Sequence, residues 1–231
     1  MEAIVLAGGL GTRLRGVVPD LPKPMAPVQG RPFLSFILDQ LLVAGFETAV
    51  LAVGYLHEAI RSHFGECYRG LALRYSAESE PLGTGGAIRL AWPLASAPQV
   101  FVLNGDTYLE IDHKAMLEAH LRAGAQLSMA VYRVPDASRY GALGLADGRV
   151  RGFFEKGRSG PGWINAGVYI LSSELRAYVS RDGAFSFEQD LLAPEVETIR
   201  PLAFPADGLF IDIGIPEDYA RAQTLFSTTH R

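Results

Sequence analysis

The chain has 231 residues, 48% hydrophobic and 20% charged, with a formal net charge of −4. That length can bury a sizeable core in one α/β domain, and the composition is that of a globular protein. A net negative charge without a basic block argues against nucleic acid or an anionic membrane surface as the main partner, but leaves room for a small anionic substrate held by a few local cations.

Ala3 to Ala7 is a short apolar run that reads as a fully buried strand. It leads into LAGGLGTRL (6–14), rich in glycine and closed by Arg13. A Pro-rich stretch follows. In FLSFILDQLLVAGF, residues Phe33, Ile37, Leu38, Leu41 and Leu42 recur at helical spacing, and Gly45 is placed to end that helix. Residues 48–54 read as a second buried strand, 57–65 as a short helix and 71–77 as an alternating strand. VFVLNGD (100–106) is a third apolar strand that ends at a carboxylate, and 113–124 is a helix closed by Gly124. Strand and helix thus alternate over the first 130 residues or so, which predicts a mainly parallel sheet with helices on both faces.

Beyond that point the chain is richer in strands, with candidates at 127–133, 149–154 and 164–171, before a closing helix over 216–226 that starts at Pro216. No repeat, low-complexity segment or linker interrupts it. The expected fold is a single Rossmann-like α/β domain, 1–231, with a mixed, mainly parallel central sheet flanked by helices. The sequence is silent on oligomeric state.

Cys67 is the one cysteine. No internal disulfide can form, which suits a reducing cytoplasm, and Cys67 reads as a bystander. Glu2 stands where a signal peptide carries positive charge, and the first apolar run stops at Gly8. No run is long enough for a membrane span, so the expected location is the cytoplasm. The five histidines form no metal pattern, and His57 and His63 read as solvated helix residues.

In an open α/β sheet, ligands bind beyond the carboxyl ends of the strands, and a glycine-rich loop there can aim backbone N–H groups at phosphate. The two common templates fail. A dinucleotide fingerprint needs glycine where Leu14 stands, and a P-loop needs lysine where Val17 stands. Gly8 and Gly9 alone would fit a plain tight turn. Arg13 adds a fork of donors suited to phosphate oxygens. Lys23, held between Pro22 and Pro24, has a stiff backbone and a defined position for a second phosphate contact.

The stretch LAGGLGTRLRGVVPDLPKPMAPVQGRPFL resembles the signature of the sugar-1-phosphate nucleotidylyltransferases, roughly G-G-x-G-T-R-L followed by P-K-P. The resemblance continues in family order through EPLGTGGAI (80–88), LNGD (103–106), FFEK (153–156), INAGVYI (164–170) and IDIG (211–214). Within the family, DLPKPMAPV with EPLGTGGAI is most similar to the D-glycero-α-D-manno-heptose-1-phosphate guanylyltransferases. The resemblance implies transfer of a nucleoside monophosphate, GMP from GTP, to a sugar 1-phosphate with release of pyrophosphate. Mannose-1-phosphate guanylyltransferase and N-acetylmuramate-1-phosphate uridylyltransferase are rival readings, as is a non-catalytic nucleotide-sugar-binding homologue. A nicotinamide oxidoreductase is disfavoured by the failed fingerprint.

The resemblance also implies roles. Arg13 and Lys23 would work on the phosphates, and Asp106 with Asp212 would hold Mg²⁺, which prefers oxygen ligands and takes few from protein. Leu6, Ala7, Gly8, Gly9, Gly11, Thr12, Arg13, Glu80, Gly83, Thr84 and Asp106 would meet the nucleotide. Gly85, Asn104, Glu155, Lys156 and Asn165 would meet the sugar and its phosphate. Glu80 carries two readings: an acceptor for the adjacent N1–H and N2 donors of guanine, or a charge stabilised by the dipole of a helix over 84–91. Arg139 and Tyr140, in SRYGAL, receive no role.

Overall fold

Residues 2–6 form a strand because their apolar side chains are buried on both faces. Ala3 and Val5 enter one hydrophobic cluster and Ile4 enters another. The neighbouring strand repeats this, with Ala49, Leu51 and Val53 on one side and Val50 and Ala52 on the other. Such two-sided burial is the mark of a sheet covered by helices on both faces. The structure is a computed structural model and describes residues 1–9, 14, 16–19, 21–54, 56–157 and 159–229.

In chain order the strands are β1 (Glu2–Leu6), β2 (Pro27–Val28), β3 (Arg31–Pro32), β4 (Thr48–Val53), β5 (Cys67–Tyr68), β6 (Leu71–Ala77) and β7 (Gln99–Asn104). They continue with β8 (Thr107–Leu109), β9 (Leu127–Val134), β10 (Leu143–Ala146), β11 (Arg149–Phe153), β12 (Gly162–Ser172), β13 (Leu202–Ala206) and β14 (Phe210–Asp212). The α-helices are α1 (Phe33–Ala44), α2 (His57–Phe64), α3 (Gly83–Ala91), α4 (His113–Arg122), α5 (Arg176–Val179), α6 (Val196–Ile199) and α7 (Pro216–Thr229). A π-helix spans Phe187–Leu192.

Ten strands form one sheet in the order β10-β11-β13-β9-β12-β7-β1-β4-β6-β5. From β7 to β6 every neighbour is parallel, as the alternation of strand and helix requires. Past β7 the sheet changes character. β12 runs antiparallel to both β7 and β9, and β11 runs antiparallel to β10 and β13, while β13 and β9 are parallel. The expectation of a mainly parallel sheet is corrected accordingly: the sheet is mixed, and parallel pairing prevails only on the β7–β6 side. The β10–β11 pair shows why. Asp147 and Gly148, both at positive φ (52° and 68°), close a two-residue hairpin, and a connection that short can only join antiparallel strands.

Helices α1, α2, α4 and α7 contribute to one cluster through Phe33, Ile60, Met116 and Phe226. Helix α3, the π-helix and α6 contribute to the other through Ile88, Leu191 and Ile199. Gly45 ends α1 at φ 86°, its N–H turned back on Leu41 and Leu42, and Asp112 caps α4 by accepting the Ala115 N–H at 3.0 Å. Cys67 is exposed and unpaired. Among the described residues, no helix is long and apolar enough to cross a membrane.

Candidate active site

The parallel strands β6, β4, β1 and β7 end along one edge of the sheet. The residues just past them, Glu78 to Pro81, Gly54, Gly8, Gly9 and Asp106, line a pocket of about 570 Å³. Its floor depends on glycine. A Cβ on Gly54 would lie 2.6 Å from Glu78 Oε1, and one on Gly8 would lie 3.1 Å from the same atom. The space those side chains would fill is occupied by the Glu78 carboxylate, whose Oε2 accepts the Leu82 N–H at 3.1 Å. Glu78 is therefore held in place at the β6–β4 end of the pocket.

Lys23 opens a single 3₁₀ turn, Lys23–Met25. Pro22 enters it extended, at φ −63° and ψ 144°, and accepts the Met25 N–H at 2.7 Å, while Pro24 and Met25 are buried. The anchored turn leaves the Lys23 side chain only 11% exposed, with Nζ bonded to Asp106 Oδ2 and 3.7 Å from Asp212 Oδ1.

The two aspartates meet through local pairing. β14 and β8 form an antiparallel ribbon with Asp212 opposite Thr107, and the Ile213 N–H donates to the Asp106 carbonyl at 3.0 Å. Burial, and then the Asp106 carboxylate, push the Asp212 carboxyl above its ordinary range, while Lys23, the Gly214 N–H and Arg139 pull it down. Two carboxylates crowded around one ammonium are hard oxygen donors of the kind Mg²⁺ takes. Among the described residues no cluster of three or more His, Cys, Asp or Glu is arranged to hold a metal. The pair fits an ion that completes its shell with water and substrate oxygens, the usual habit of Mg²⁺.

Of the residues singled out from the sequence, Leu6, Gly8, Gly9, Lys23, Glu80, Gly83, Thr84, Asn104 and Asp106 line this pocket. Glu80 is exposed. The Thr84 hydroxyl accepts the Phe187 N–H at 2.8 Å, which ties the start of α3 to the π-helix. Ala7 is buried and donates its N–H to the Ala52 carbonyl at 2.7 Å. Gly11, Thr12 and Arg13 lie outside the described residues. Glu155 and Lys156 are exposed beyond the end of β11 and are not part of the lining.

Two expectations change, and a third gains a detail. Gly85 packs rather than lines: a Cβ there would come within 2.0 Å of the Phe185 ring, and its N–H donates to the Phe185 carbonyl at 2.9 Å. Asn165 sits one layer behind the pocket. Its amide NH₂ donates to Tyr169 Oη and to Glu188 Oε1, and its oxygen accepts the Gly167 N–H. His57, expected as a solvated helix residue, keeps a 36% exposed side chain and also lines the pocket, with Nδ1 3.2 Å from the Gly54 carbonyl.

Glu78 and Glu188 line the pocket and escape the sequence reading. A signal existed for Glu78. It is the first residue past β6, just as Asp106 lies just past β7. Glu188 had none, because it sits on a π-helix whose spacing matches neither strand nor α-helix.

The chain is similar to known proteins along nearly its whole length. Residues 2–228 match the model of the family described as nucleotidyl transferase. The D-glycero-alpha-D-manno-heptose 1-phosphate guanylyltransferase of Aneurinibacillus thermoaerophilus is 45% identical over 96% of this chain and 97% of its own. The protein of the same name from Campylobacter jejuni is 39% identical over 95% and 97%. The crystal structure of HddC from Yersinia pseudotuberculosis complexed with GMP-PN superposes with a TM-score of 0.87 at 40% identity, covering 97% of this chain and 99% of that one.

Proposed function

This chain belongs to the nucleotidyl transferase family, and from that premise we propose that it transfers GMP from GTP to D-glycero-α-D-manno-heptose 1-phosphate, giving the GDP-sugar and pyrophosphate. The observation that carries the reading is the meeting of Lys23, Asp106 and Asp212 beside a glycine-floored pocket at the ends of parallel strands. The choice of guanine and heptose rests on the two guanylyltransferase relatives and on the GMP-PN complex of the similar chain.

The sugar phosphate oxygen is already ionised at neutral pH, so its in-line attack on the α-phosphorus needs no strong base. Catalysis then comes from positioning and charge stabilisation. Lys23 neutralises charge at the α-phosphate, from a backbone stiffened by its two prolines. Arg13, on sequence grounds, grips the departing phosphates. Asp106 and Asp212 would hold Mg²⁺, which supplies further neutralisation of phosphate oxygens when bound. Gly8 and Gly9 let the nucleotide approach the backbone. For the base, Glu78 joins Glu80 as a candidate acceptor of the guanine N1–H and N2 donors, and Glu78 has the fixed geometry that reading a base requires.

The test is pyrophosphate release by the purified protein, with four nucleoside triphosphates crossed against a panel of sugar 1-phosphates in the presence of Mg²⁺. The highest kcat/KM is expected for GTP with D-glycero-α-D-manno-heptose 1-phosphate. A higher value for mannose 1-phosphate or for UTP would move the substrate assignment. No release with any pair would overturn the reaction.

A further inference from the structure

We propose that Glu188 is a specificity residue for the sugar, a fixed carboxylate that accepts hydrogen bonds from ring hydroxyls of the sugar 1-phosphate, with Asn165 and Tyr169 as its positioning residues. The proposal rests on the reading of the pocket as a site for a nucleotide and a sugar phosphate.

The argument starts behind the pocket. Tyr169 is 1% exposed, and its hydroxyl donates to Glu188 Oε1. Asn165 Nδ2 donates to the same oxygen at 3.0 Å. The amide of Asn165 cannot turn round at no cost, because its own oxygen is engaged by the Gly167 N–H at 3.0 Å. Gly167 in turn abuts Asn104, where a Cβ on the glycine would lie 2.6 Å from Asn104 Nδ2. The Phe187 N–H, donating to Thr84 Oγ1, fixes the backbone just before Glu188. Oε1 is thus saturated from the protein side, whereas among the described residues Oε2 has no partner, and Glu188 lines the pocket.

Position then selects the ligand. In sheet order β12, which carries Asn165 and Tyr169, lies beyond β7 on the side away from β4 and β6. Glu78 and Glu80 follow β6, so Asp106 falls between them and Glu188. Glu188 therefore belongs to the part of the pocket past the reacting phosphates. An anionic acceptor there repels phosphate and has no use for an apolar group. It suits a neutral group rich in O–H donors, and an ionised carboxylate only accepts. A sugar ring meets that description. A carboxylate held by two donors, one of them the buried Tyr169, also loses little freedom when it takes up such a group.

The test uses Glu188→Gln and Tyr169→Phe in the full chain. Pyrophosphate release is followed with GTP and D-glycero-α-D-manno-heptose 1-phosphate each varied in turn, and calorimetric titration of the sugar phosphate alone is run beside it. Glu188→Gln should raise the KM for the sugar phosphate about tenfold, as expected for hydrogen bonds to a charged group, and weaken its calorimetric affinity to match. The KM for GTP should stay within about twofold. Tyr169→Phe, which keeps the packing and leaves Asn165 as the one described donor to Oε1, should shift the sugar KM in the same direction by less. An unchanged sugar KM and affinity in Glu188→Gln, or an equal rise in both KM values, overturns the assignment of Glu188 while the wild-type turnover leaves the reaction standing. A wild-type protein that binds the sugar phosphate without turnover, with affinity lost in Glu188→Gln, overturns the reaction and upholds the sugar contact. Absence of both turnover and binding in the wild type overturns both.

Discussion

β1 and β12 lie either side of β7 in one sheet, yet they serve the pocket by different means. On the β1 side four parallel strands end together, glycine stands past β1 and β4, and Glu78 is set into the gap that Gly8 and Gly54 leave. On the β12 side the strand is antiparallel and breaks register with β9 between Asn165 and Tyr169. There the pocket is reached through side chains held by other side chains, ending at Glu188. A backbone-lined floor suits a group that many loops must approach closely. A network of side chains suits a group that must be told apart from its near relatives. Between the two stands the charged cluster of Lys23, Asp106 and Asp212, which belongs to neither.

The largest effects should come from that middle ground. Lys23→Ala and Asp106→Ala should each lower kcat by roughly 100- to 1,000-fold, the usual cost of removing a preorganised group that acts on developing charge. Circular dichroism should show an intact fold in both. Near wild-type kcat in either would mean that the chemistry sits elsewhere along the pocket. The Arg13→Ala variant should join them, and Arg13→Lys should recover only part of the loss, because an ammonium lacks the guanidinium fork.

A smaller loss tests the β1 side alone. Glu78→Gln exchanges an acceptor-only group for a mixed donor and acceptor, so kcat/KM for GTP should fall by roughly tenfold to a hundredfold. Use of UTP, which lacks the paired donors, should fall less. Equal losses for the two nucleotides would reduce Glu78 to a prop for Leu82 and leave the base to Glu80.

Gly85 separates packing from binding. Gly85→Ala drives a methyl group into the Phe185 ring, and overpacking of this kind costs about 1–3 kcal/mol. Thermal denaturation should show the loss, with both KM values unchanged at a temperature where the variant is folded. Unchanged stability with a raised sugar KM would return Gly85 to the sugar site.

His113 should act on stability and leave the pocket alone. Its ring is buried against Phe46 and Phe101, and burial lowers its pKa from 6.5 to about 4. The unfolded chain therefore takes up the proton first, so stability is intact above about pH 7 and is lost as pH falls through 6.5 toward 4. Between pH 7 and 5 the loss attributable to this residue is about 2 kcal/mol. In His113→Phe, denaturant unfolding should lose that part of the slope. An unaltered slope would place the acid sensitivity in other groups.

The two sides also differ in how far they can be read from sequence. β1, β4, β6 and β7 are runs of strand length separated by periodic helices, and β1 and β7 end near residues with visible chemistry, so local pattern suffices for them. Asp106 and Asp212 can be nominated the same way, because each follows a short apolar lead-in. Their meeting cannot, since the β8–β14 ribbon pairs segments about a hundred residues apart and each strand has only three residues. β10 and its turn at Asp147–Gly148 carry a hairpin signal in the Asp-Gly pair. Asn165 is legible as a candidate, but its amide faces Tyr169 and Glu188 beside a register break in β12 that no spacing announces. Glu188 needs a π-helix, and Gly85 needs Phe185 folded over it from a hundred residues away.

The division between the two sides is tested most directly by one matrix: KM for GTP and KM for the sugar 1-phosphate, each measured in Glu78→Gln and Glu188→Gln. The account predicts that the losses fall on opposite substrates, GTP for Glu78→Gln and the sugar phosphate for Glu188→Gln, with the other KM held within about twofold in each case. Losses shared equally between the two substrates in both variants would contradict it.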